Sequence, residues 1–391
     1  MDASWPPLSE VRRNLRVAWY RSPLARGRLR ELSRRSDARG WFQTLGHLGL
    51  FAITGTALYY SWSQEIWLAF AAALFAHGTV GSFLNGVPPH ELGHGTVFRT
   101  RWLNKFFLYL FSLLTWWDPF DYASSHTYHH RYTQYPEGDR ENLFPLTPSL
   151  DPVLLLQLFT VNLLGKPGRT FNKGGLLSTV WVTIKSACGT IGSTQVPSRE
   201  WLQSLHTDQP DSARRSMWWS RLLLLYHGGV LAAAVISGIW VLPLLLSFFR
   251  FFAGWGGYFL GITQHCGLRD NVPDFRKSTR SVTLNPLLEF LYWRMNWHTE
   301  HHMYAGVPCY NLKRLYQEIA ADMPEPRTLV GAWREMRETW RRQQCDPTYQ
   351  FDTPLPASAE PVPAPRPDKV SEAVSDELVT SIGELAPAGR R

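Results

Sequence analysis

The chain has 391 residues, 45% of them apolar and 14% aromatic, with a formal net charge of +8, a length that allows one large domain or two ordinary ones. A mean hydropathy of −0.21 excludes a protein buried wholly in lipid, since its apolar blocks are balanced by a large water-exposed part. The charge also argues against nucleic acid as a partner because of its location. Residues 1–40 carry ten Arg against four acidic residues, directly ahead of the first apolar block, the pattern of a cytosolic segment beside a membrane.

In chain order, residues 1–40 read as that basic segment, polar for too long to hold a cleavable signal. Four segments are then long and apolar enough to span: about Trp41 to Trp62, Ile66 to Gly86, Trp218 to Ile239 and Leu242 to Gln264. At ~1.5 Å per residue each exceeds a hydrocarbon core of about 30 Å. The first two are joined by Ser63-Gln64-Glu65 and the last two by Trp240-Val241, without Lys or Arg, whereas the connector from Val87 to Ser216 is rich in both. The N-terminus, connector and C-terminal region are therefore expected on the cytosolic side. The fold expected is all-α and integral to the membrane, with four transmembrane helices in two hairpins and a cytosolic helical cap. Shorter apolar runs at Phe106–Trp117, Pro152–Leu164 and Leu176–Ile184 read as interfacial or core helices. A membrane domain over 41–345 is expected to precede a Pro- and Ala-rich, disordered tail over 346–391, in which Val370–Leu385 allows a short helix of no assigned function. The four scattered cysteines (Cys188, Cys266, Cys309, Cys345) read as reduced thiols.

Nine of the thirteen histidines gather at four places on the expected cytosolic face. His90 and His94 lie in HELGH, His126, His129 and His130 in HTYHH, His265 in QHCG, and His298, His301 and His302 in HTEHH. Spacings of three and four place side chains on one helix face, so each cluster aims its imidazoles one way. A structural zinc is satisfied by four ligands; nine imidazoles suit two ions. HELGH alone also fits the HExxH motif of a membrane zinc metallopeptidase, a reading that leaves seven histidines unexplained. A metal transporter would need ionisable groups along several spans. His47, His77, His206 and His227 read as packing or surface residues. Ligand imidazoles usually give their second N–H to a carboxylate or carbonyl. Glu91, Asp118, Asp121, Glu137, Asp139 and Glu300 are near enough, with Glu91, Asp139 and Glu300 the candidates carried forward. Trp116-Trp117 suits either a substrate wall or an interfacial anchor. Arg250, inside the fourth expected span, calls for an anionic partner or a boundary drawn elsewhere.

The order HxxxH, HxxHH, HxxHH between two hairpins resembles the membrane fatty acid desaturase and hydroxylase superfamily, from about Trp41 to Leu315. His94-Gly95 and HHMYAGVPCYNL, similar to the HHxxPxxPxYxL run, extend the likeness. The resemblance implies a membrane-bound oxidoreductase whose two iron ions use O2 and two electrons to place a double bond in an alkyl or acyl chain. It implies His90, His94, His126, His129, His130, His298, His301 and His302 as iron ligands, with His265 matching the extra histidine of many acyl-lipid desaturases. Gly261 stands where the acyl-CoA branch has Asn, so an acyl-lipid-type fatty acid desaturase is the activity implied. HELGHGTVF, SHTYHHRYT and HTEHHMY are also similar to a bacterial branch that includes dihydrorhizobitoxine desaturase, whose substrate is amino-acid-like. A hydroxylase would use the same ligands. No Cys cluster or dinucleotide fingerprint stands in the sequence, so a separate ferredoxin or small cytochrome is expected as electron donor, steered by the basic face.

Overall fold

In lipid every backbone N–H and C=O needs a partner within the protein, so long apolar segments fold as helices. The computed structural model describes residues 5–142, 146–165 and 174–362; Val370–Leu385 lies outside them. Helices dominate, and the single pair of strands among the described residues joins Val282–Thr283 to Arg327–Thr328, in parallel. The first expected span lies inside a 27-residue helix, Asp37–Ser63, opened by Ser36, whose side chain accepts from the Arg39 N–H. It packs along the helix Trp67–Ser82. The third expected span falls on a 28-residue helix, Pro210–Ser237, which stops two residues short of Ile239 at Gly238 in the left-handed region (φ 71°), the usual glycine terminator. By length and composition two segments qualify as membrane-crossing, Trp67–Gly93 and Pro210–Ser237. Ile53, Leu68 and Ile236 stand exposed on these long helices, as lipid-facing side chains would.

The fourth expected span departs from expectation. In place of one helix the chain forms Leu242–Leu246, a 3-10 turn Phe249–Phe251, a helix Trp255–Gly261 and a further 3-10 turn Ile262–Gln264. Pro243 and four glycines between 254 and 261 lower its helix propensity. The break persists because neighbours satisfy its backbone: the Asn162 N–H donates to the Phe251 carbonyl (2.7 Å) and the Ala253 N–H to the Thr160 carbonyl (2.9 Å). Gly78 and Gly81 let the Trp67–Ser82 helix approach. A Cβ on Gly78 would stand 2.4 Å from the Phe252 carbonyl oxygen, and one on Gly81 2.3 Å from the Phe249 ring.

Two terminal segments are more engaged than their composition indicates. Arg12 pairs with Asp208 (2.6 Å), Trp19 stacks on Phe275 at 4.1 Å, and Tyr20 donates to Asp322 (2.8 Å). Residues 346–362, expected in the tail, are tied to the body. The Phe351 N–H donates to the Gly267 carbonyl (2.7 Å), Lys277 to the Thr353 carbonyl (2.7 Å) and Arg276 to the Glu360 carbonyl (2.9 Å). Prolines do not prevent this, because the contacts need only isolated backbone groups rather than a ladder.

Candidate metal centre

The first two histidine boxes stand on helices whose starts are locally encoded. Gly86 turns with φ 83° and Pro88 and Pro89 open the helix Val87–Gly93, which holds His90 and ends at His94. Pro is tolerated in a first turn because its missing N–H would have no partner there. Asp118 caps the helix Pro119–Tyr132, accepting from the Phe120 N–H (2.8 Å) and the Asp121 N–H (3.1 Å). His298 is the first residue of the short helix His298–Met303. His265 follows the 3-10 turn Ile262–Gln264 and lies on no helix.

All nine histidines are buried, and their nitrogens form two groups. His90, His94, His126, His130 and His301 make one; His129, His265, His298 and His302 make the other, with ligand atoms in each within 4.8 Å of one another. The groups do not follow the boxes. In each HxxHH the residues i and i+4, one turn apart, tend to share a group and the i+3 residue leaves it: His126 and His130 against His129, His298 and His302 against His301. A step of one residue rotates a side chain by about 100° around a helix, so adjacent histidines diverge.

Hydrogen bonds at the far ring nitrogens decide which tautomer is present. The Nδ1 of His129 is 2.8 Å from Asp139 Oδ2 and that of His265 is 3.1 Å from the Ser278 carbonyl. A carboxylate and a carbonyl only accept, so each Nδ1 carries the proton and each Nε2 presents a lone pair. His298 likewise sets Nδ1 against Met295 Sδ (3.3 Å). Yet the Nε2 atoms of His265 and His298 face each other at 2.9 Å, and those of His302 and His298 at 3.0 Å. Lone pairs at that separation repel unless a cation lies among them. Two nitrogens each about 2.1 Å from one ion and at right angles would stand about 3.0 Å apart. The donor set therefore fits metal. The other group repeats the spacing, with His90 and His301 Nε2 at 2.8 Å and His301 and His130 at 3.2 Å. Burial and neighbouring rings lower the pKa of His94, His130, His298, His301 and His302, so these imidazoles are neutral, as ligands must be.

Of the carboxylates singled out in the sequence, Asp139 bonds a ring directly and also accepts from the Gln134 and Glu141 N–H groups (each 3.0 Å). Glu91 Oε1 lies 3.5 Å from His301 Nδ1. It stands behind that ring rather than facing the cavity, which deprives the peptidase reading of its general base. Glu300 differs from expectation. Its Oε2 accepts from Ser281 (2.6 Å), whose Oγ also accepts from the Thr299 N–H (3.1 Å), so it braces the start of the third-box helix rather than a ring. Asp121 bonds His206 (2.8 Å) and so does not reach the groups. Sequence reasoning missed Tyr122, 2.9 Å from His90 Nδ1, Thr133, 3.1 Å from His302 Nδ1, and Glu141, 3.9 Å from His126 Nδ1. Tyr122 and Thr133 each stand four residues from a box histidine, the same helical spacing that marked the boxes.

The remaining histidines have ordinary partners. His47 Nε2 is 3.1 Å from the Val80 carbonyl, His77 Nε2 is 3.2 Å from that of Leu245, and His227 stacks on Trp116 at 3.8 Å. Trp117, not Trp116, reaches a cavity of about 240 Å³ beside the histidine groups, whose wall includes His90, His126, His129, His265, His298 and Arg250. A family model described as fatty acid desaturase matches residues 65–333, a stretch that holds all nine histidines. No curated protein matches the chain.

Proposed function

The chain belongs to the fatty acid desaturase family, a membrane-associated family of oxygen-dependent oxidoreductases, and from that premise we propose that it desaturates an alkyl segment at a di-iron centre. The observation carrying this reading is the sorting of nine buried imidazoles into groups of five and four, in which four pairs of ring nitrogens stand 2.8 to 3.2 Å apart. His90, His94, His126, His130 and His301 would hold one iron, and His129, His265, His298 and His302 the other. The metal pair, when bound, supplies the O2 chemistry that breaks an unactivated C–H bond.

The protein's own part is to fix ring orientation and place the substrate. Asp139, the Ser278 carbonyl and Thr133 hold three rings of the second group by their far nitrogens, and Tyr122 holds His90. Two hydrogens leave adjacent carbons, giving two protons and two electrons. A separate donor, a ferredoxin or small cytochrome, gives two more electrons, solvent two more protons, and O2 leaves as two waters. Gly261 in the cavity wall leaves open the space where the acyl-CoA branch has Asn, which supports a substrate other than acyl-CoA. Polar side chains in the wall, Asn142, Gln195 and Arg250 among them, favour, as a second reading beside an acyl lipid, an amino-acid-like small molecule.

Two membrane hairpins with both termini cytosolic complete the proposal. Reporter fusions at residues 64 and 240 should read outside and one after 362 inside; a fusion at 240 reading inside would defeat the topology. For the activity, mass spectrometry of lipids and polar metabolites from expressing cells is compared with a His301→Ala control. A new double bond absent from the control supports desaturation. A new hydroxyl would move the assignment to the sister reaction, and iron-free wild-type protein would sink the metal assignment.

A further inference from the structure

Arg250 is a cation inside the broken apolar stretch, and among the described residues no carboxylate pairs with it. Its guanidinium donates to the Thr115 carbonyl (2.8 Å) and lies 4.6 Å from the centre of the Phe251 ring. That leaves most of its five donors without a partner. A charge held at such a place is retained for a partner, since burying it alone is costly. Arg250 lines the cavity shared with the histidine groups. Two further polar atoms of the same wall, Asn85 Oδ1 and Trp117 Nε1, are buried without partners.

The rest of the wall agrees. Asn142, Thr194 and Gln195, from the connector, bring side chains that hydrogen-bond, and Glu141 a carboxylate that already accepts from Ser125 (2.7 Å), among aromatic rings and few aliphatic chains. The wall is thus mixed, apolar area interrupted by polar groups that converge on the cavity. The cavity is open to one side. A cavity of about 150 Å³ holds a benzene molecule, so the roughly 240 Å³ beside the histidines takes on the order of ten heavy atoms.

We propose that Arg250 is the anion anchor of the substrate site, and that the substrate is a short molecule ending in a carboxylate. The carboxylate takes the guanidinium in a two-pronged contact. Asn85 accepts from, and Trp117 donates to, polar groups along the molecule, and its saturated carbons stand toward the histidines. The proposal rests on the desaturase reading of this site, for it names what that centre oxidises. The same carboxylate chemistry could come from a free fatty acid, and a phosphate from a lipid head group, so the test separates these sources.

The test uses iron-loaded, full-length protein and calorimetric binding. Its probes are unbranched carboxylates of about four to eight carbons, the length this volume admits, with and without an α-amino group. The matching amides, oleate and dioleoyl phosphatidate vesicles complete the set. Short acids should bind and their amides should not. Arg250→Gln should weaken the acids by about thirtyfold or more, as when one partner of a buried charge pair is lost, with iron content unchanged. Gly257→Leu is the independent variant. A Cβ at Gly257 meets nothing within 4 Å and the residue lines the cavity, so the side chain should fill the site and abolish acid binding while iron stays.

Oleate or phosphatidate binding more tightly than every short acid would overturn the proposal. So would equal binding of acids and amides, or no binding of either. Failure of the desaturase reading looks different: wild-type protein that retains no iron, whatever it binds.

Discussion

Asp139 and Glu300 show how far a residue's role depends on what it touches. Both are acidic and close in sequence to a histidine box, yet Asp139 lies 2.8 Å from the His129 ring and Glu300 bonds Ser281. Asp139→Asn can still accept, but without the charge that fixes the His129 tautomer. Removing such a partner typically costs 10- to 100-fold in metal affinity. Purified Asp139→Asn should therefore lose iron on dialysis about tenfold more readily than wild type, measured by metal analysis, whereas Glu300→Gln, which keeps an acceptor for Ser281, should retain it. Equal retention in both variants would remove the positioning role of Asp139. Legibility at this scale was high for the histidines, whose spacing is a property of the chain. It was low for their partners: Glu141 comes near His126 only because of the turn after Tyr132, which no periodicity announces.

Among the elements, the break after Leu246 matters most. The 3-10 turn Phe249–Phe251 carries Arg250 in the cavity wall. The break depends on close approach by the Trp67–Ser82 helix at Gly78 and Gly81. Non-helical backbone in an apolar setting is tolerated only where protein covers it. Gly78→Leu, whose Cβ would stand 2.4 Å from the Phe252 carbonyl oxygen, should cost about 1–3 kcal/mol through overpacking and lower the thermal midpoint. An unchanged midpoint would mean that the helix separates easily from the break. The Pro and Gly content of residues 243–261 is the visible signal of the break, which a count of apolar residues does not register.

For the whole molecule, chain termini close the assembly around the histidines. The N-terminal segment reaches the second-box helix through Arg12, which bonds Asp208 and Tyr128, and residues 346–362 run back to Gly267, two residues after His265. Ending the chain after residue 362 keeps every described contact and should leave thermal stability unchanged. Ending it after residue 345 removes the Phe351 and Thr353 contacts and should lower the midpoint by several degrees, since about 1 kcal/mol moves a domain of this size by roughly 2–4 °C. Equal midpoints would show the strap to be dispensable. Iron removal acts on the same scale. A ligand bound only by the folded state stabilises it by mass action, so chelation should lower the midpoint of wild type and leave His301→Ala less affected.

The sequence alone determined the chemistry: apolar blocks separated by uncharged turns, and imidazoles at spacings that a helix turns to one side. These are local properties, set by the period of the helix and by the partitioning of charge, and they need no knowledge of what packs where. Only the tertiary structure decided how the boxes interleave into two groups, which atoms brace each ring, and that a cation stands in the cavity wall. Those depend on contacts between residues more than a hundred positions apart, such as His90 with His301 and Arg250 with Thr115. No local pattern encodes such contacts, because they follow from how separate elements share one buried volume.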